Sequence, residues 1–179
     1  MSPSPPDAHF AQALLGLLPR LRRYARLLCP DSHSADDLVQ DTIERAWSRH
    51  RQWQPGSDLR AWLFAILHNR RIDLLRGAPV VHSLDDAQSA TRDELAAMPA
   101  PADDRLGVID LQRALERLSP EHREVLLLVA VEQFSYDETA MALGLPVGTV
   151  MSRLSRARQR LRAELADAAP RAGHLTRVK

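Results

Sequence analysis

Apolar residues recur along the chain at helical spacing. Leu14, Leu17, Leu18, Leu21, Tyr24, Ala25 and Leu28 fall on one face at i, i+3, i+4, i+7, the period of an amphipathic helix. Pro19 interrupts this block. It predicts a kink or the first turn of a second helix, because proline lacks the N–H that an interior turn requires. A second stripe is made by Val39, Ile43, Ala46 and Trp47, with Ser34 and Asp37 spaced as a capping pair at its start. Leu59, Trp62, Leu63, Ile66 and Leu67 form a third. Between these two, Trp53 to Asp58 contains Pro55-Gly56 and reads as a loop.

The pattern fades from Gly77 to Gly107, where Pro79, Pro99 and Pro101 appear and six acids face two arginines, a net −4. This stretch reads as an acidic linker. Periodicity returns near Val108. Leu111, Leu115 and Leu118 mark one helix, and Ser119-Pro120 restarts the chain with Ser as N-cap and Pro at N1. The run Val125 to Val131 marks the most buried helix. Ser135 and Glu138 fit a capping box for a short helix ending at Leu143, and Gly144 supplies a left-handed closing residue. A long helix from about Val147 to Ala166 buries Val150, Leu154, Ala157, Leu161 and Leu165. No segment alternates as a strand does. The expected fold is all-α, in two small helical domains joined by the linker. Residues 1–8 are expected as a disordered tail, 9–76 as the first domain, 77–107 as the linker, 108–168 as the second domain and 169–179 as a tail.

Charge alters this picture by its arrangement more than by its sum. There are 24 Lys and Arg against 23 Asp and Glu, a net +1, and 45% of residues are hydrophobic. A polybasic tail and an acidic disordered chain are both excluded. The single cysteine, Cys29, excludes an intramolecular disulfide and a Cys-rich zinc site, and reads as a small packed hydrophobe. The N-terminus has no basic and apolar leader. Val125 to Val131 is seven residues between Glu124 and Glu132, far short of the roughly 20 that span a bilayer. A soluble protein of a reducing cytoplasm is expected.

Three constellations could carry function. Ser135 to Arg162 has the form of a helix-turn-helix, whose second helix reads the major groove. That helix carries Arg153, Arg156, Arg158, Arg160 and Arg162 with no acid before Glu164, and Arg suits both phosphates and guanine edges. The plain alternative is a helical hairpin with a solvated Arg face. In the second constellation, Arg70, Arg71 and Arg76 follow a loop bearing Trp53, Gln54 and Ser57, a combination suited to single-stranded nucleic acid. Trp62 fits the core stripe. The third is an acidic face, Asp36, Asp37, Asp41 and Glu44, which reads as a docking surface for a basic partner or as a solvated face. No Glu-x-x-His pair accompanies it, so no metal is expected. No nucleophile motif, phosphate loop or HExxH helix is present, so neither enzymatic activity nor a cofactor is expected.

These residues resemble a known family. Asp36-Asp37-Leu38-Val39-Gln40-Asp41, Trp53-x-Pro55-Gly56, Arg60-Ala61-Trp62-Leu63 with Ile66 and Asn69, and Ile72-Asp73-Leu74-Leu75-Arg76 resemble region 2 of an extracytoplasmic-function (group 4) sigma factor of the sigma-70 family. Leu118-Ser119-Pro120 to Val125, Ser135 to Glu138, and Gly148-Thr149-Val150 with Ser152 to Arg158 resemble region 4. The segment starting at Leu18 and the Pro146 to Thr149 turn are similar to the general-stress-response type. The resemblance implies binding to core RNA polymerase, promoter recognition and DNA melting. Asp37, Gln40, Asp41 and Glu44 would contact the β′ coiled coil, and region 4 the β flap. Trp53, Gln54 and Ser57 would hold a flipped minus-ten base and Asn69 would help to read it, with Arg70, Arg71 and Arg76 on the strand backbone. Thr149, Met151, Ser152, Arg153, Arg156 and Arg158 would face the minus-thirty-five duplex. An anti-sigma factor is an expected partner.

Two departures stand out. Pro146 occupies a place where relatives carry a capping Ser, which would leave the N–H groups of Val147 to Thr149 for a phosphate. Met151 stands where Lys or Arg is frequent. Two other functions fit parts of the chain. An anti-anti-sigma mimic would lack the Arg series and carry a receiver domain. A simple helix-turn-helix repressor would leave residues 10–76 unexplained. The linker would permit a closed, inhibited arrangement with region 4 folded against region 2.

Overall fold

The structure, a computed structural model, describes residues 8–54, 56–77 and 111–168. The two expected tails and the acidic linker lie outside these, apart from their edge residues Ala8 and Gly77. Three helices make the first unit: α1 (Ala8–Leu28), α2 (Ser32–Ser48) and α3 (Leu59–Gly77), with a 3-10 turn at His50–Gln52. Helical residues 111–116 (α4), α5 (Pro120–Ala130), α6 (Tyr136–Leu143) and α7 (Val147–Ala168) make the second. The described residues contain no strand.

Several boundaries differ from those the sequence suggested. One helix, α1, runs through Pro19 without restarting. Pro19 lies on the exposed face, while Phe10, Leu14, Leu21, Tyr24, Ala25 and Leu28 are buried. α2 begins at Ser32, not Ser34. Its cap is Asp31, whose Oδ1 accepts from the Ser34 N–H at 2.7 Å and whose Oδ2 accepts from the Ser34 hydroxyl. Those bonds hold the Asp31 carboxyl below its usual pKa. Asp58 ends the loop before α3, accepting from the N–H groups of Arg60 and Ala61 at 2.8 and 3.3 Å. Ser119 occupies the cap position of α5 with Pro120 behind it, but its side chain makes no capping bond.

The second unit folds largely as its residues indicate. The Ser135 hydroxyl accepts from the Glu138 N–H at 3.1 Å, and the Glu138 carboxylate accepts from the Ser135 N–H at 2.6 Å. This capping box lowers the Glu138 pKa, chiefly through the Ser135 N–H. Gly144 closes α6 at φ 62° and ψ 36°. Replacing Ser135 by Ala removes one side of the box and is expected to cost about 1 kcal/mol, read as a lower urea midpoint. Ser135→Thr should retain most of it. Of the α7 stripe, Val150, Leu154 and Ala157 are buried, and Leu161 and Leu165 are half-buried. Cys29 packs against the core, and burial pushes its thiol up to about 11, as suits a packing residue.

The two units share one continuous core. α3 packs on α6 and α1 packs on α5. Phe64 sits at its centre, with ring centroids 5.0 Å from Tyr24 in its own unit and 5.1 Å from Phe134 in the other. Phe134 reaches it because of the turn after α5. Gln133 adopts a left-handed φ of 58°, a conformation costly for a residue with a Cβ. It thereby leaves its own side chain in solvent and buries both neighbours, Glu132 at 0% exposure and Phe134 at 3%.

Candidate nucleic-acid and polymerase interfaces

The acidic face is built on α2. Its buried side, Ala35, Leu38, Val39, Thr42 and Ala46, faces the core. Asp36, Asp37, Gln40 and Glu44 therefore project into solvent. Gln40 donates to Glu44 at 3.1 Å, and His33 lies 3.5 Å from Asp37. Asp41 differs from these. It is half-buried and accepts a charge-assisted bond from the Arg70 guanidinium. Arg45 similarly reaches Asp73 at 3.3 Å. The residues expected to meet polymerase and those expected to meet DNA thus touch across the α2–α3 seam.

The loop between these helices is anchored by its aromatic residue. Trp53 lies 5.7 Å from Phe10, which also contacts Trp62 and His50. The Trp53 Nε1 is buried with no hydrogen-bond partner. Trp53 is therefore fixed by packing, while Gln54 and Ser57 are exposed. Ser57 donates from both its N–H and its hydroxyl to the Gln54 carbonyl, at 3.0 and 2.7 Å, which closes the loop on itself. Asn69 and Arg76 are exposed on the C-terminal half of α3. Arg71 is not. It is 8% exposed, and its guanidinium faces Glu124 of α5 at 3.7 Å. In this closed arrangement it cannot touch a DNA strand, because the second unit covers it.

In the second unit, α7 presents its basic surface outward. Met151, Ser152, Arg156, Arg158 and Arg162 are exposed, and Thr149 and Arg153 are half-buried. Arg153 is tied to Glu121 at 3.3 Å, and Arg160 to Glu164 at 2.8 Å. Glu164 also accepts from Arg117 at 2.9 Å, the main cause of its lowered pKa. Among the described residues, Arg156 and Arg158 have no such pairing. The Ser152 hydroxyl turns back to the Thr149 carbonyl at 3.0 Å. One expectation about the α7 start needs correction. The Thr149 N–H is not left for a phosphate, since it donates to the Pro146 carbonyl at 2.9 Å. Lacking a capping side chain, Pro146 still supplies its backbone oxygen to Thr149 and Val150.

The sequence reading missed a third set of residues. Arg20, Arg23 and Arg60 of the first unit converge on Glu132 and Glu138 of the second, and His68 and Arg71 converge on Glu124. A signal was present. Glu124 and Glu132 bracket the apolar run of α5, and a carboxylate flanking a buried helix needs a cation from elsewhere in the fold.

Comparison with known proteins gives the family. Residues 14–68 match the family described as the Sigma2 domain of PhyR, and residues 109–161 match Sigma-70, region 4. The chain is 39% identical over 153 residues to the ECF RNA polymerase sigma factor EcfG of Rhodopseudomonas palustris, covering 85% of this chain and 82% of that one. It is 35% identical over 149 residues to the RNA polymerase sigma factor NccH of Alcaligenes xylosoxydans xylosoxydans, covering 81% and 80%. Among solved structures it is similar to the sigma factor RpoE of Bartonella quintana, crystallised with the anti-sigma factor NepR. That match has 33% identity and a TM-score of 0.71, covering 89% of this chain and 98% of that one. Likeness to the anti-anti-sigma factor PhyR of Bartonella quintana, at 18% identity, shows the fold alone. With both sigma domains present in order and a helix-turn-helix whose basic helix faces outward, the chain belongs to the extracytoplasmic-function family of RNA polymerase sigma factors, which act in promoter recognition.

Proposed function

We propose that this sigma factor binds core RNA polymerase through α2 and reads promoter DNA with two separate surfaces. Asp37, Gln40, Asp41 and Glu44 dock on the β′ coiled coil, and the second unit on the β flap. Trp53, Gln54, Ser57 and Asn69 capture and read an unstacked minus-ten base, which lowers the cost of melting without bond chemistry. Arg70, Arg71 and Arg76 follow the strand backbone. Thr149, Met151, Ser152, Arg153, Arg156 and Arg158 lie along the minus-thirty-five duplex. The protein works in the bacterial cytoplasm, with no cofactor and no enzymatic activity of its own. An anti-sigma factor restrains it, as the similarity to a sigma factor crystallised with NepR suggests, within a general stress response. By this reading, residues 9–76 are region 2, 77–107 the linker and 108–168 region 4.

The observation that carries this reading is the outward basic face of α7, where Arg156 and Arg158 are exposed. Run-off transcription with core polymerase on genomic fragments tests it. Promoter-dependent transcripts are expected. No transcript together with polymerase-independent operator binding would make the protein a repressor. No transcript with anti-sigma binding alone would make it an anti-anti-sigma mimic. Arg156→Ala is expected to weaken promoter binding by about 1–3 kcal/mol if the side chain reaches a base, measured with the holoenzyme on duplex promoter DNA. Unchanged affinity would remove Arg156 from the site.

A further inference from the structure

The ion pairs that join the two units are segregated by sign. Among the described residues, each arginine–carboxylate pair across the contact takes its guanidinium from the first unit and its carboxylate from the second. Arg20 donates from Nε to Glu132 Oε2 and from Nη2 to the Glu132 carbonyl, both at 2.8 Å. Arg23 donates to Glu132 Oε1 at 2.8 Å. Arg60 donates to the Glu132 carbonyl at 3.2 Å and to Glu138 Oε1 at 2.8 Å, while lying 4.3 Å over the Phe134 ring. Three guanidinium groups therefore surround the oxygens of one short segment. Within the first unit, the carboxylate found beside them is that of Asp58, 3.8 Å from Arg60.

From this we infer that Arg20, Arg23 and Arg60 form a phosphodiester-binding site for single-stranded DNA, filled in the closed chain by Glu132 and Glu138. The inference rests on the reading of the first unit as a DNA-binding one. A carboxylate and a phosphodiester present the same thing to a guanidinium, paired anionic oxygens within reach of its fork of donors. When the second unit leaves, three cations on one face lose their anions together, and a nucleic acid backbone supplies replacements. Arg71 behaves alike, covered by Glu124 when the chain is closed. The closed packing is also incompletely satisfied. The Tyr24 hydroxyl is buried and, among the described residues, has no hydrogen-bond partner, which costs stability in the closed chain. Closure and strand binding at this face exclude each other.

The test uses the full chain without polymerase, a fluorescent dT20 strand and small-angle scattering. Glu132→Gln with Glu138→Gln removes both charges. Gln at position 138 retains the capping box. This variant is expected to expand and to bind dT20 about tenfold tighter, as when the competent form rises from about a tenth of molecules to nearly all. Adding Arg20→Gln and Arg23→Gln should keep the expansion and abolish the gain. It should also reduce the salt slope by about 1.4, the share of two single-strand phosphate contacts. An expanded chain that binds no tighter overturns the site, as does a gain that survives loss of both arginines. A chain that stays compact overturns the lock. If the double variant lacks helical circular dichroism, Glu132→Gln alone carries the same comparison, since Arg20 and Arg23 both pair with Glu132. Strand binding as stated, without transcripts in the run-off assay, would retain this site and remove the sigma reading.

Discussion

Arg20→Met and Arg23→Met, made together, are expected to destabilise the closed chain by about 3–5 kcal/mol, the cost of stranding a buried charge. Glu132 has a side-chain exposure of 0%, against 34% for Arg20 and 54% for Arg23. Removing the arginines leaves a carboxylate that water cannot reach. Removing the carboxylate instead leaves two guanidinium groups that rehydrate where they stand. Glu132→Gln should therefore cost only about 1–2 kcal/mol, the worth of hydrogen bonds to charged groups. The triple variant, with Met at positions 20, 23 and 132, should recover most of the larger loss, since no charge remains to be solvated. Small-angle scattering measures all three as the balance of closed and open chains, because the double variant can escape its penalty by separating its units. Equal losses from the arginine pair and from Glu132→Gln would show that the buried charge is not the source.

Phe64→Ala is expected to cost about 3–5 kcal/mol, by loss of apolar burial and by the cavity left behind. Phe64 is 1% exposed and lies between Tyr24 and Phe134, so its ring belongs to the packing of both units. The loss should appear as a lower midpoint and as weaker coupling between the units. Leu15→Ala is a control of similar chemistry. Leu15 is 63% exposed on α1, and its truncation should stay within about 0.5 kcal/mol of the parent. A mild Phe64→Ala phenotype would indicate that the rings merely touch and that the ion pairs hold the units together.

The closed arrangement divides the expected DNA contacts into two groups. Arg156 and Arg158 are ready for a partner as they stand, whereas Arg70 and Arg71 face Asp41 and Glu124. Engagement of the first unit therefore requires exchanging an internal anion for an external one. Engagement of the second does so only at Arg153, whose partner Glu121 belongs to its own unit. Binding to a minus-thirty-five duplex alone should accordingly leave the inter-unit packing intact.

What could be read from the residues was what depends on neighbours in sequence. Leu59 to Leu67 at helical spacing, the Ser135–Glu138 box and the left-handed Gly144 each involve groups within a few positions, and each occurs as expected. The Asp31 cap, in place of a start at Ser34, and the continuity of α1 through Pro19, in place of a second helix there, are local too but ambiguous in sequence. A second serine, Ser32, stands beside Asp31 in the helix start, and Pro19 lies on a face that needs no packing. The outward Arg face of α7 was legible because its opposite face is apolar. Distant pairing was not. Nothing in the order of residues says that Arg20 meets Glu132, 112 positions away, or that Arg71 is covered rather than open. Such pairs are chosen by which surfaces the packing of Phe64 against Phe134 brings together, and local propensity contains no term for that. The near-zero net charge, legible from the sequence, left open which charges cancel. The tertiary structure decides it: part of the sum is neutralised inside the molecule, where carboxylates of one unit occupy arginines of the other because buried charges must be paired.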